Sequence, residues 1–96
     1  VIRSFGGRAT QDIWDGENTP AARELSREIW TVAHRKLDMI HAAHELIDLR
    51  VPPGNRLEKL KGKLKDFHSI RINDQFRIIF KWTQGAAEEV EIVDYH

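Results

Sequence analysis

The chain has no cysteine, which excludes a disulfide framework and any thiolate metal site. Backbone breakers are few. Three prolines and six glycines in 96 residues exclude a Pro/Gly-rich disordered or collagen-like chain. Long apolar runs are also missing: none approaches the ~18 residues that a membrane-spanning helix needs. The opening "VIRSFGGRAT" carries neither a long apolar segment nor a small-residue cleavage site, so a secretory signal peptide is not expected. Net charge is absent too, because 15 Lys and Arg balance 15 Asp and Glu. There is no internal repeat, linker or low-complexity tract. What is present is an ordinary globular composition, 41% hydrophobic and 31% charged. The length allows one core. The expectations are a single domain over residues 1–96 and a cytoplasmic location without membrane contact.

The zero total conceals an uneven distribution. Residues 50–82 hold nine Lys or Arg against three acids, Glu58, Asp66 and Asp74. Residues 83–96 hold four acids and no Lys or Arg. Local basic patches meet phosphates, whatever the average, so an anionic partner is expected.

"IRSF" (Ile2 to Phe5) reads as a short strand closed by Gly6-Gly7. "TQDIWDG" reads as a short helix with Thr10 as cap and Gly16 as stop. Thr19-Pro20 is a helix start, since Thr accepts from a free backbone N–H and Pro fits the first turn. Beyond it Leu25, Ile29, Val32, Ala33, Leu37, Ile40 and Ala43 recur at three- and four-residue spacing, an amphipathic stripe. Unbroken from Pro20 to Ile47, that helix would be about 42 Å long. A domain of this length has a radius of gyration of only ~13 Å, so a break is expected between residues 41 and 47. "VPPGN" (Val51 to Asn55) then stops all helix. "RLEKL", "HSIRI", "RIIFKW" and "EVEIVDY" follow as short β-rich runs, with turns at "NDQ" and "TQGAA". Loops this short force antiparallel pairing. The expected fold is α+β, with an N-terminal strand and helices packed on one face of a mainly antiparallel sheet.

Strand parity assigns the faces. Ile70, Ile72, Ile78, Phe80, Trp82, Val90 and Ile92 turn toward the helices. Arg71, Arg77, Lys81 and Tyr95 then share the uncovered face and read as exposed. Guanidiniums, an ammonium and a phenol together suit phosphates and bases. The chain closes on Asp94, Tyr95 and His96, three groups able to accept, hold or donate protons. RNA cleavage by internal attack needs such groups. The 2′-hydroxyl must lose a proton, the phosphorane's extra charge must be offset, and the departing 5′-oxygen must gain a proton. DNA, lacking the 2′-hydroxyl, is not a substrate for this chemistry.

"DLRVPPGNRLEKLKG" (Asp48 to Gly62), "HSIRINDQFRIIFKW" (His68 to Trp82), "VEIVDYH" (Val90 to His96) and the opening "IRSF" resemble HigB-type toxins of the RelE superfamily. The resemblance implies a RelE-like fold and a toxin of a type II toxin–antitoxin system. It implies a metal-independent endoribonuclease that depends on the ribosome and cuts mRNA in the decoding site, inhibiting translation. It implies no metal and no organic cofactor. The implied partners are the ribosome, mRNA and a cognate HigA-like helix-turn-helix antitoxin, with operator DNA met only through the antitoxin complex.

Carried across by residue, the catalytic set is Lys61, Arg77, Asp94, Tyr95 and His96. Phe76 stands where relatives often carry Trp. Parity adds Arg71 as an RNA contact, and the basic block adds Lys59, Lys63, Lys65 and Lys81. His96 is the general-acid candidate, because its terminal carboxylate and Asp94 favour the imidazolium. Asp94 orients it, and Tyr95 meets the base or the 2′-hydroxyl.

Other signals read more plainly. His41, His44 and Asp48 have metal-compatible helical spacing, but no fourth ligand is evident, and a solvated polar face is the reading. His68 reads as a strand-edge histidine with an ordinary hydrogen bond. Trp14 and Trp30 read as core or as the helical surface that an antitoxin covers. The rival function is a non-catalytic RNA- or ribosome-binding module on the same basic face. Because several Lys and Arg would meet phosphates, ribosome affinity should fall steeply between about 50 and about 200 mM salt. A flat titration would remove the basic block from the interface.

Overall fold

Residues 1–95 are described by the structure, a computed structural model; His96 lies outside the described residues. The described strands form one four-stranded antiparallel meander in the order β1 (Glu58–Lys59), β2 (Phe67–Arg71), β3 (Phe76–Thr83) and β4 (Ala86–Asp94). Both expected turns are present. In the first, Asn73 Oδ1 accepts from the N–H groups of Gln75 and Phe76 at 2.9 and 2.8 Å. In the second, Gly85 takes φ +77°, which a side chain would resist.

The β3–β4 register shifts between Ile79, opposite Glu91, and Lys81, opposite Glu88. Glu89, at φ 53°, is the extra residue of this β-bulge. The bulge lets Ala87 and Val90, three residues apart, both reach the core fully buried. It also limits the N-terminal strand. The first residues run parallel to β4, but they pair only at Ile2 with Ala87 and at Phe5 with Val90. Between those bridges the Glu89 N–H turns to the Ser4 hydroxyl at 2.9 Å.

Helix α1 (Arg8–Trp14) begins at Gly7, not at Thr10. Thr10 lies inside the helix and is buried, where its Oγ1 accepts the Ile92 N–H at 2.9 Å. The cap-like threonine therefore ties α1 to β4 instead of starting it. Thr19 does cap, accepting the Ala22 N–H at 3.1 Å. What it caps is only a 3₁₀ turn, Ala22–Glu24. Leu25 and Ser26 are not helical, a second 3₁₀ turn spans Arg27–Ile29, and α2 runs Trp30–Ala42. The helix thus starts ten residues later than expected. A 3₁₀ turn repeats every three residues, so it continues the apolar spacing of an α-helix without being one. Ala43 is extended and ends α2 inside the anticipated window.

Both helices lie on one face of the sheet. Ala33, Leu37 and Ile40 of α2 join Ile70, Ile78, Phe80 and Val90 in the fully buried core. Truncating such a side chain as Leu37 to alanine costs about 2–5 kcal/mol. Asn55 fastens the loop that leads to β1. Fully buried, it donates to the carbonyls of Leu49 (3.1 Å) and Val51 (3.4 Å) and accepts from the Lys36 ammonium. Burial, and then the nearby cations Arg35 and Arg71, lower the pKa of Lys36.

Asp12 plays the matching role near the N-terminus. It accepts from Thr19 Oγ1 at 2.6 Å and from Arg8 Nε at 3.0 Å. The Thr19 hydrogen bond, then Arg8, hold its carboxyl below the usual value despite burial. A depressed folded pKa contributes stability above the unfolded value of ~3.9 and loses it as pH falls through the folded one. Asp12→Asn should therefore lower the thermal midpoint at pH 7 and flatten its decline below about pH 4. Superimposable melting curves for variant and parent across that window would show that Asp12 pins nothing.

Candidate active site

The sheet face without helices is built by β1 and the loop before it. Register places Glu58 opposite Ser69, Ser69 opposite Ile79, and Arg71 opposite Arg77. Arg77 is also opposite Val93 on β4. Alternation turns these side chains away from Ile78 and Phe80. Arg71 and Arg77 do share a face, as parity requires.

The expected exposure of Arg77 is corrected: it is only 7% exposed. The chain around Arg56–Glu58 supplies the partners that bury it. Its Nε donates to Ser69 Oγ at 2.9 Å and one Nη to the Arg56 carbonyl at 2.7 Å. Its other Nη lies 3.8 Å from Glu58 Oε1. Its guanidinium carbon stands 5.4 Å from the centre of the Tyr95 ring. A buried cation is tolerable only when its donors find partners, and the planar fork supplies donors in several directions.

Above this arginine lies a groove of about 320 Å³ lined by Glu58, Lys59, Leu60, Lys61, Leu64 and Tyr95. The structure thus brings Lys61, Tyr95 and Arg77 together. Asp94 is fixed by Gln75, whose Nε2 donates to Asp94 Oδ2 at 2.9 Å, while the Tyr95 N–H donates to the Gln75 carbonyl at 2.7 Å. The β2–β3 turn therefore anchors the end of β4. Lys63 and Lys65 are exposed in and just after the 3₁₀ turn Gly62–Leu64.

The remaining expected RNA contacts fall outside the groove. Arg71 is half-buried and donates to Asp74 of the turn. Lys81 sits four residues along β3 from Arg77, roughly 13 Å away. It pairs with Glu89 at 2.9 Å, and that hydrogen bond and charge raise its pKa.

His68 faces the other way, opposite Phe80, with ring centres 6.3 Å apart. Among the described residues its buried Nδ1 has no hydrogen-bond partner, in contrast to the ordinary bond expected of it. Burial, then Lys59, lower its pKa and favour the neutral ring. The spaced polar groups of the 41–48 segment serve the backbone instead. His41 Nδ1 accepts the Ile2 N–H, and Asp48 accepts from the N–H groups of His44 and Glu45.

The helical side carries its own groove of about 390 Å³, whose walls include Ile13, Arg27, Trp30 and His34. Trp14 lies between the rings of His34 and His41 at 5.5 and 5.3 Å.

Glu58 is the site residue that parity and the basic block did not single out. A signal was available: it is the one acid between residues 50 and 65, among six Lys and Arg. A carboxylate, an exposed ammonium and an aromatic ring in one groove can accept a proton, meet an anion and stack on a base.

Helices on one face of an antiparallel meander, with this groove on the other, define a small α+β domain with a cationic groove opposite its helices. Residues 11–96 match the family of HigB, the RelE-like toxin of type II toxin–antitoxin systems. The chain is 45% identical over 71 residues to Toxin HigB-1 of Vibrio cholerae serotype O1, covering 74% of this chain and 75% of that protein. It is 44% identical over 67 residues to an uncharacterized protein of Haemophilus influenzae, covering 70% and 66%. It shares its fold with a chain of the YoeB-YefM complex from Staphylococcus aureus, at TM-score 0.61 and 14% identity over 100% of this chain and 98% of that one. The chain belongs to the HigB-like family of RelE-like toxins of type II toxin–antitoxin systems. An antitoxin is therefore its partner.

Because Arg77 is buried and shared among four groups, Arg77→Ala should cost roughly 2–4 kcal/mol in a denaturant melt. Arg77→Lys should recover only part of that, since an ammonium cannot span the same partners. An unchanged midpoint for Arg77→Ala would show that the guanidinium does not hold the site together.

Proposed function

We propose that this toxin is a ribosome-dependent, metal-independent endoribonuclease that cuts mRNA in the decoding site and so stops translation in the cytoplasm. The observation that carries the reading is the meeting of Glu58, Lys61 and Tyr95 in one groove over the locked Arg77. Tyr95, 46% exposed, offers a ring face to a base. Lys61 is exposed and suits the phosphate. Glu58 is placed to take the 2′-hydroxyl proton. The 2′-oxygen then attacks the adjacent phosphorus, with Lys61 offsetting the phosphorane's charge. The bond to the 5′-oxygen breaks, and that oxygen takes a proton from His96, whose role is assigned from the resemblance and which Asp94 would orient. The products are a 2′,3′-cyclic phosphate and a 5′-hydroxyl. Arg77 acts as a positioning residue, holding Tyr95 and Glu58.

The RNA contacts that best fit the groove are Lys59, Lys63 and Lys65. Arg71 and Lys81, each paired with an acid, would act at the periphery. The antitoxin we take to be HigA-like, with a helix-turn-helix that reaches operator DNA on behalf of the complex. Its favoured docking surface is the helical groove beside Trp14 and Trp30, where bulk alone would keep the complex out of the decoding site.

His96→Ala and Lys61→Ala should each reduce cleavage of ribosome-bound mRNA by about 10²-fold or more, with ribosome binding retained for His96→Ala. Glu58→Gln should lose cleavage comparably while keeping most of the fold. Cleavage at the parental rate by all three would remove these residues from the site, and a parent that binds ribosomes without cleaving would leave a non-catalytic ribosome-binding module as the better reading.

A further inference from the structure

The β2–β3 turn reads in sequence only as a link, "NDQ" (Asn73 to Gln75). In the fold it reaches the end of β4. Asn73 Oδ1 accepts from the N–H groups of Gln75 and Phe76, which closes a side-chain turn and sets the direction of Gln75. Gln75 then grips the neighbouring strand twice. Its Nε2 donates to Asp94 Oδ2 at 2.9 Å, and its carbonyl accepts the Tyr95 N–H at 2.7 Å. The charged pair of the same stretch, Arg71 and Asp74, is joined to itself. The donor that meets Asp94 from this turn is an uncharged amide. We propose that Gln75 is a positioning residue for cleavage, whose amide holds the Asp94 carboxylate in the orientation from which Asp94 directs His96. The proposal rests on the nuclease reading above and deepens it.

Gln75 and Asp94 are both exposed. A hydrogen bond between exposed groups contributes little to folding, because water serves either partner nearly as well. Its worth lies in direction. Asp94 is the last residue of β4, and its place in the ladder is opposite Phe76, the residue after Gln75. The Tyr95 N–H bond fixes the backbone just beyond Asp94, and the amide restrains rotation of the carboxylate itself. One residue, 19 positions earlier in the chain, thus restrains both main chain and side chain at this point. The chemistry of the side chain matters as much as its reach. A lysine or arginine here would offset the carboxylate's charge and compete with an imidazolium for it. A second carboxylate would repel it or share its proton. A glutamine amide orients the carboxylate and leaves its charge intact, and an asparagine would be one methylene shorter.

The test measures kcat and KM for cleavage of ribosome-bound mRNA by the parent, Gln75→Leu and Gln75→Glu, across pH. Neither substitution touches the backbone bonds of residue 75, so thermal midpoints should agree among the three. Gln75→Leu removes the donor and should lower kcat about ten-fold with KM nearly unchanged. Its ratio to the parent should not vary with pH. Gln75→Glu can donate to Asp94 only while the two carboxyl groups share a proton, and they repel once it leaves. The kcat of Gln75→Glu relative to the parent should therefore fall as pH rises from about 5.5 to about 8. A parental kcat for Gln75→Leu overturns the positioning role and leaves the nuclease reading standing. So does a loss confined to KM, which would make Gln75 a contact to the RNA, and so does a Gln75→Glu ratio that is flat across pH. A parent that binds ribosomes but cuts no mRNA overturns both.

Discussion

One buried cation organises the functional half of this protein. Arg77 sits on a sheet face that no helix covers, yet it is almost inaccessible to water. An unpaired buried charge costs several kcal/mol, so the chain must close around it. Ser69 comes from β2, Glu58 from β1, the Arg56 carbonyl from the loop before β1, and the Tyr95 ring from beyond β4. Three separated segments, around residues 56–58, 69 and 95, are thus brought to one guanidinium. The groove above it follows from that closure, so the same contacts that stabilise the face also shape the site.

The charge pattern gains a physical sense from this arrangement. Arg71 and Lys81, at opposite ends of the face, are paired with Asp74 and Glu89. Among the described residues, Lys59, Lys61, Lys63 and Lys65 have no ion pair, and Lys59 and Lys61 line the groove. The positive field is therefore focused on the 59–65 segment instead of spreading over the sheet, although the chain as a whole is neutral. The one carboxylate inside that segment's groove, Glu58, is held toward Arg77. A carboxylate among cations is electrostatically favoured, and the proposed reaction adds a chemical role to that structural one.

What could be read in the sequence followed the regularity of each signal. Strand alternation has a period of two, so a single apolar assignment placed Ile70, Ile78 and Phe80 inside and Arg71 and Arg77 together on the other face. The stop of α2 was legible because a longer helix would not fit the domain. The helix start was not, because the 3₁₀ turns at Ala22–Glu24 and Arg27–Ile29 carry apolar residues at spacings that also suit an α-helix. Thr10 misled because a buried threonine bonded to a distant strand looks, in sequence, like a cap. The burial of Arg77 was not legible at all. It depends on Arg56 and Glu58 returning from 21 and 19 positions earlier in the chain, and local pattern carries no record of such a contact. For the same reason Glu58 passed as an ordinary edge-strand acid. Of the residues named by the resemblance, Lys61 and Tyr95 line the groove, and Arg77 lies against Tyr95 although parity misjudged its exposure.

The central claim is that the groove over Arg77 serves cleavage by the RNA's own 2′-hydroxyl. The most direct test is a ribosome-bound mRNA in which the nucleotide 5′ to the cut carries a single 2′-deoxy substitution, compared with the all-ribose message. The account predicts that the all-ribose message yields a 2′,3′-cyclic phosphate end, while the substituted message is bound equally and is not cut at that bond. Cleavage of the deoxy-substituted bond at the rate of the ribose bond would contradict it.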